Sequence, residues 1–146
     1  MISRKYRIHA ILIVTFLFIV IYPQYSRQPD EAKTTASTTA ALEFLQLIDS
    51  GQIENSWLIS AEYLRNSVPL VDWKIKLTKM RTDYGTIVER ERAAASFTAL
   101  AEDLPDSDVI ILTFDSKFEN QEDASETVTL LLVPDSGWRV VGYFIK

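Results

Sequence analysis

Hydrophobic and polar positions follow three different patterns along the chain. Residues 8–22 form an apolar run with few interruptions. Residues 36–84 place apolar side chains at intervals of three and four, which is typical of amphipathic helices. From residue 86 the interval becomes two and β-branched residues become frequent, which indicates strands with one buried face. The pattern therefore predicts a helical half followed by a sheet half.

The helical half is predicted to contain three helices, at residues 36–50, 53–66 and 73–84. Asp72 is expected to cap the third helix, and Gly51 and Gly85 follow the ends of the first and third. Four strands are predicted at residues 86–96, 109–118, 126–133 and 138–145, the last two joined by a turn at residues 134–137. Helices first and strands afterwards favour an α+β fold, with three helices on one face of a four-stranded antiparallel sheet.

The apolar run at residues 8–22 follows three basic residues, Arg4, Lys5 and Arg7, which is the layout of a signal peptide or a signal anchor. Its 15 residues make about 22 Å of helix at roughly 1.5 Å per residue, and a slightly longer helix would cross a hydrocarbon core of about 30 Å. The small residues that cleavage requires do not follow closely. We therefore expect an uncleaved transmembrane helix, with a removed signal peptide as the alternative.

This interpretation divides the chain into four parts. Residues 1–7 are a cytoplasmic basic stub, 8–25 a transmembrane signal anchor, 26–36 a tether and 37–146 an exported domain. Because basic residues precede the apolar run, the positive-inside rule places the N-terminus in the cytoplasm. We expect a single-pass protein of the inner (cytoplasmic) membrane whose domain lies on the extracytoplasmic, periplasmic side.

Charge and composition exclude several chemistries. From Asp30 onward there are 11 basic against 20 acidic residues, a net charge of −9, which argues against a nucleic acid partner. The chain has no cysteine, and its single histidine, His9, lies in the apolar run. A thiol nucleophile, a histidine general base and a histidine or thiolate metal site are therefore excluded from the domain. No catalytic set, cofactor or metal site is predicted.

Strand alternation places Arg90, Ser116, Glu126 and Tyr143 on the apolar, helix-covered face of the sheet. The expected register puts four residues in one row across this face: Arg90, Phe114, Val128 and Tyr143. Because buried charges need partners, we predict that Arg90 and Glu126 share a polar cluster with Tyr143 or Ser116. Polar groups on a concave apolar face are also typical of a small-molecule pocket, so these four are the candidate ligand-binding residues. The alternative is that they only close the end of the core.

Several short motifs occur in a characteristic order along the chain: Asp49-Ser-Gly51, Ser56-Trp57, Asp72-Trp73, Arg81, Gly85, Arg90, Phe114, Phe118, Glu126-Thr-Val-Thr-Leu130 and Gly137-Trp-Arg-Val-Val-Gly-Tyr-Phe-Ile145. In these residues the chain resembles the bacterial family catalogued as domain of unknown function 4019, over about residues 38–146. The resemblance implies an export signal and a cone of the NTF2-like type, in which the sheet is curved. It implies no reaction.

Three functions remain open at this point. The first is a non-catalytic, membrane-anchored module that binds a small ligand or an envelope protein. The second is a small pocketed enzyme of the NTF2-like type, with Glu126 or Asp83 beside Tyr63 or Tyr143 for proton transfer.

The third function is a structural homodimer joined through the outer sheet face. Ile111, Leu131 and Val140 are expected to be exposed there and to need cover.

Overall fold

The computed structural model describes residues 30–98 and 108–146. In these residues four helices come first: α1 (Glu31–Asp49), α2 (Ile53–Leu58), α3 (Glu62–Ser67) and α4 (Leu70–Tyr84). Four strands follow: β1 (Ile87–Thr98), β2 (Val109–Phe118), β3 (Gln121–Val133) and β4 (Gly137–Ile145). The predicted α+β class is confirmed. The predicted stub and anchor, residues 1–25, and the tether up to residue 29 lie outside the described residues.

Helix α1 begins at Glu31 rather than at residue 36, so the last part of the predicted tether is helical. The Asp30 carboxylate caps it by accepting a hydrogen bond of 2.9 Å from the N–H of Ala32, a role that aspartate performs well. Its buried side carries Thr34, Ser37, Ala41, Phe44, Leu45 and Ile48. Apolar periodicity missed the first turns because the residues buried there are hydroxylic.

The predicted second helix, residues 53–66, is two short helices. The break lies at Ala61, whose extended backbone (φ −59°, ψ 149°) directs its N–H to the carbonyl oxygen of Val140 at 2.9 Å. That bond joins the helical layer to strand β4. The break has no local breaker residue because its cause is this tertiary contact.

Helix α4 begins at Leu70, three residues before the predicted start. Pro69 holds φ at −57° at the N-cap position, which suits a helix start because proline lacks the N–H that would go unpaired there. Asp72 therefore lies in the first turn and complements the helix dipole instead of capping. The helix ends where predicted, at Gly85 with φ +79°.

The sheet is an antiparallel meander in the order β1-β2-β3-β4, as predicted. The turn between β2 and β3 is tighter than expected, because Phe118 pairs with Gln121 and β3 therefore begins five residues early. In the separate pairing of β1 with β2, Arg90 lies opposite Ser116 instead of Phe114. At Arg90 and at Glu126 the slip is two residues, and an even slip leaves these side chains on their predicted face.

Strands β3 and β4 pair as predicted near the C-terminus, where Val128 lies opposite Tyr143. A bulge after Thr129 then shifts the register, so Leu130 faces Val140 rather than Val141. The bulge turns Val140 towards the core, where its side chain is 3 % exposed. The expectation that Val140 and Leu131 are exposed on the outer face is therefore wrong, since both are buried.

The main core lies between the helices and the inner sheet face, with α1 packed on β2, β3 and β4. The ring of Phe44 contacts Tyr143 edge-to-face at 5.7 Å and Trp73 at 6.1 Å between centroids. Trp73 and Trp138 are buried in this core, and Trp57 packs against it half-buried. All three tryptophan rings therefore contribute to this core.

Candidate functional site

The predicted polar cluster forms around Glu126, whose side chain is fully buried. Its Oε2 accepts hydrogen bonds from Arg90 Nε at 2.6 Å and from Ser116 Oγ at 2.5 Å. Its Oε1 accepts from Arg90 Nη2 at 3.0 Å and from Tyr143 Oη at 2.7 Å. Two carboxylate oxygens offer about four acceptor positions. Donors of the protein itself occupy all four positions. The structure thus brings together the four predicted residues, Arg90, Ser116, Glu126 and Tyr143.

Arg90 bonds a second carboxylate on its other edge. Its Nη1 donates to Asp49 Oδ2 at 2.7 Å and its Nη2 to Asp49 Oδ1 at 3.2 Å. The side chains of Arg90 and Asp49 are 11 % and 22 % exposed, so the three charges form a partly buried triad. The planar fork of arginine suits such double bidentate pairing. The triad fastens strand β1 to strand β3 and to the end of α1.

Asp49 occupies an electrostatically unfavourable place, because the C-terminus of a helix carries partial negative charge. Two cations offset this charge. Arg90 pairs with the carboxylate, and Arg81 Nη1 donates to the backbone carbonyls of Ile48 and, at 2.6 Å, of Asp49. Helix α4 is thereby tied to the same helix end.

Sequence reasoning missed Asp49 and Arg81 because they lie on other elements, where strand alternation gives no information. An acidic residue in the last turn of α1, with no basic residue in that turn, is the signal that could have indicated a cationic partner elsewhere.

The protonation of the cluster follows from its burial and bonding. Burial raises the pKa of Tyr143 far above its usual range, and the adjacent Glu126 carboxylate raises it further. Burial alone would lower the pKa of Arg90, but its bonds to Asp49 and Glu126 outweigh burial and raise it. Tyr143 therefore remains a hydrogen-bond donor and Arg90 a cation throughout the physiological range.

The other predicted acid–base candidates, Asp83 and Tyr63, do not join the cluster. Asp83 on α4 forms an ion pair with Lys79 at 2.5 Å. Tyr63 on α3 is 58 % exposed. No hydrogen bond joins the side chains of Asp83 and Tyr63, both of which lie in the described part of the chain. A second arginine of β1, Arg92, is exposed and donates to Thr38 Oγ1 at 2.9 Å, outside the cluster.

Two grooves formed by the described residues lie beside the cluster. An apolar groove of about 230 Å³ runs along Tyr143 between α4 and β4, next to Met80 and Phe144. A larger groove of about 730 Å³, lined mainly by charged residues, reaches Ser116 near the β2–β3 turn. Residues 30–98 and 108–146 hold no group of three or more potential ligands that would suit a metal ion. No helix in those ranges has the length and hydropathy of a membrane span.

Comparison with protein families identifies the domain. Residues 40–143 match the family model described as "Protein of unknown function (DUF4019)". The chain belongs to the DUF4019 family. The resemblance expected from the sequence motifs is thus confirmed, and the matched range of this DUF4019 chain includes the whole Arg90–Glu126–Asp49 triad. No curated protein matches the chain.

Proposed function

We propose that this DUF4019 chain is a membrane-anchored binding module that acts without catalysis on the extracytoplasmic side of the inner membrane. Its partner is a small ligand or an envelope protein. The non-catalytic part of the proposal rests on Glu126, whose carboxylate accepts four hydrogen bonds from within the chain. It therefore has no acceptor position free to take a proton from a substrate.

In this proposal the polar cluster supports binding indirectly. Arg90, Ser116, Glu126 and Tyr143 hold β1, β2, β3 and β4 against the end of α1, and a partner contacts the outer surface. The ligand-contact role predicted for these four residues stays a prediction, and their mutual bonds favour the structural role. The homodimer hypothesis loses its main support, because Leu131 and Val140 are buried within the chain.

The anchor and the location rest on the N-terminal pattern of basic residues followed by an apolar run at residues 8–22. The NTF2-like cone is proposed on the order of elements, with helices first and a four-stranded meander afterwards, and on the packing of α1 against the inner sheet face.

Cell fractionation tests the membrane anchor, and in-cell photo-crosslinking tests whether a partner binds. The full chain, tagged at its C-terminus, is expected to stay in the membrane fraction with its N-terminus intact. A photoreactive residue at an exposed apolar position, Leu58, Tyr63 or Ile75 in turn, is expected to give a discrete adduct. Release of a soluble, shortened domain would contradict the anchor.

The non-catalytic part is tested with Tyr143→Phe, which keeps the ring and removes the hydroxyl that bonds Glu126. This variant is expected to fold with lower stability and to keep the adduct pattern of the wild type. Val71→Ser, also on the exposed side of α4, is the control for surface effects. A folded Tyr143→Phe protein that accumulates a new covalent or bound substrate species would favour the enzyme instead.

A further inference from the structure

Two arginines outside the cluster line a separate cleft of about 430 Å³. Arg65 lies on α3 and Arg139 on β4, so the cleft is enclosed by the α2–α3 junction on one side and the β3–β4 hairpin on the other. Both walls are fixed by the bond between Ala61 N–H and the carbonyl of Val140. The volume is suited to a small organic ligand, since such sites measure about 300–1,000 Å³.

The two guanidinium groups bond to three successive carbonyl groups at and just after the last residue of α2. Arg65 Nη1 donates to Leu58 O at 2.8 Å and also to Ser60 O. Arg139 Nη1 donates to Ile59 O at 3.4 Å. Carbonyl oxygens carry only partial charge, and each guanidinium has five N–H donors. Both side chains therefore keep donors and positive charge available for an anion.

Neither guanidinium has an anionic partner within the part of the chain that the structure describes. The ion pairs found there involve Lys33, Lys74, Lys79, Arg90 and Lys117. Glu62 lines the same cleft and reduces its net charge to about one positive unit, yet it pairs with neither arginine. The cleft is thus a locally cationic place on a strongly acidic domain.

The residues that line the cleft indicate which class of anion it would bind. Arginine forks match the two oxygens of a carboxylate. Ile59 and Ser60 lie on one wall of the cleft, Val133 and Ser136 on the other, and the Ser60 hydroxyl already donates to the carbonyl of Ser56. A polyanion is disfavoured, because the chain from Asp30 onward carries a net charge of −9. A single carboxylate with an apolar body fits both conditions.

We infer that the Arg65–Arg139 cleft binds the carboxylate group of a small organic acid. This inference rests on the proposed role of the chain as a binding module and names the chemistry of its ligand. Arg139 makes one long bond to a carbonyl, whereas Arg65 makes two. Replacing Arg139 should therefore disturb the fold less than replacing Arg65.

An NMR titration of the full-length chain in detergent micelles tests this site, with N-acetyl-L-alanine as the carboxylate probe. The backbone and Nε–H signals of Arg65 and Arg139 are expected to shift saturably. N-acetyl-L-alaninamide, the same molecule without the negative charge, is expected to leave them unchanged. Arg139→Gln should weaken binding about tenfold or more, since it removes charge-assisted hydrogen bonds.

Two further variants make the test specific. Arg92→Gln also removes one positive charge from a partly bonded arginine, but lies outside the cleft, and should keep the wild-type affinity. Glu62→Gln should strengthen binding by about threefold, because it removes a repelling charge that is exposed to solvent. Wild-type affinity in Arg139→Gln, equal binding of the amide, or tighter binding of inorganic phosphate would overturn the inference.

The failure of this site is distinguishable from failure of the proposed function. If the probe does not bind while the chain stays in the membrane and forms discrete adducts, only the carboxylate site is wrong. If the chain is released from the membrane and forms no adduct, the proposed function is wrong whatever the titration shows.

Discussion

Arginine is used in two contrasting ways in this domain. Arg90 lies in a closed cluster, where two carboxylates share its fork and Glu126 has every acceptor position filled. Arg65 and Arg139 lie in an open cleft, where they bond only to backbone carbonyls. The first arrangement connects four strands and a helix end, whereas the second leaves charge available at the surface. Burial and pairing, rather than residue type, thus separate a structural arginine from one that is available to a ligand.

The largest loss in the free energy of unfolding is expected for Arg90→Met, in the closed cluster. Methionine keeps much of the side-chain volume but leaves Glu126 buried without a cation. Removing one partner of a buried ion pair costs about 3–5 kcal/mol. Urea denaturation followed by tryptophan fluorescence should show this loss in the free energy of unfolding. A loss below about 1 kcal/mol, the size of a surface pair, would show that the cluster is effectively solvated.

A smaller effect is expected for Ser116→Ala, which removes one hydroxyl donor to Glu126. Leaving a buried acceptor partly unsatisfied costs about 1–3 kcal/mol. The matched control is Ser67→Ala on α3, an exposed serine whose hydroxyl bonds only a local carbonyl. Equal destabilisation of the two variants by urea denaturation would contradict the closed-cluster description.

Tyr143→Phe is expected to cost a similar or smaller amount at neutral pH, and its effect should depend on pH. The folded pKa of Tyr143 is raised by burial and by Glu126, so the folded state holds the phenol proton more tightly than the unfolded state does. Its contribution is complete below the unfolded tyrosine pKa of about 10 and is lost as pH rises above that value towards the folded pKa.

The alkaline decline in the free energy of unfolding should therefore be steeper for the wild type than for Tyr143→Phe. The comparison cancels the titration of lysines and of the other tyrosines, which both proteins share. Parallel declines between about pH 9 and pH 11 would contradict the buried phenol.

The smallest effect on stability is expected in the open cleft. Arg139→Gln should change the free energy of unfolding by no more than about 0.5 kcal/mol, the usual range for surface substitutions. Its one long carbonyl bond is readily replaced by water. Thermal unfolding of the variant checks this, and a large loss would show that Arg139 belongs with Arg90 among the structural arginines.

The contrast also explains which features the sequence could predict. The alternation of polar and apolar residues placed Arg90, Ser116, Glu126 and Tyr143 on one face, and a register error of two residues did not change that result because the side-chain period is two. Asp49 belongs to the cluster but lies at the end of helix α1, and the alternation along the strands gives no information about residues on a helix.

Tertiary contacts account for two further errors. The helix break at Ala61 comes from a bond to Val140, and Val140 faces inward because of a bulge in the β3–β4 pairing. Neither feature has a local residue signature. The cleft between Arg65 and Arg139 depends on both, so no pattern along the chain could have indicated it.

A double-mutant cycle on Arg90 and Glu126 tests the central claim most directly. Arg90→Met, Glu126→Gln and the double variant are compared with the wild type by urea denaturation. If the two side chains form a closed structural pair, the double variant should be more stable than Arg90→Met alone, with a coupling of about 2 kcal/mol or more. Additive losses, with no coupling between the two sites, would contradict the account.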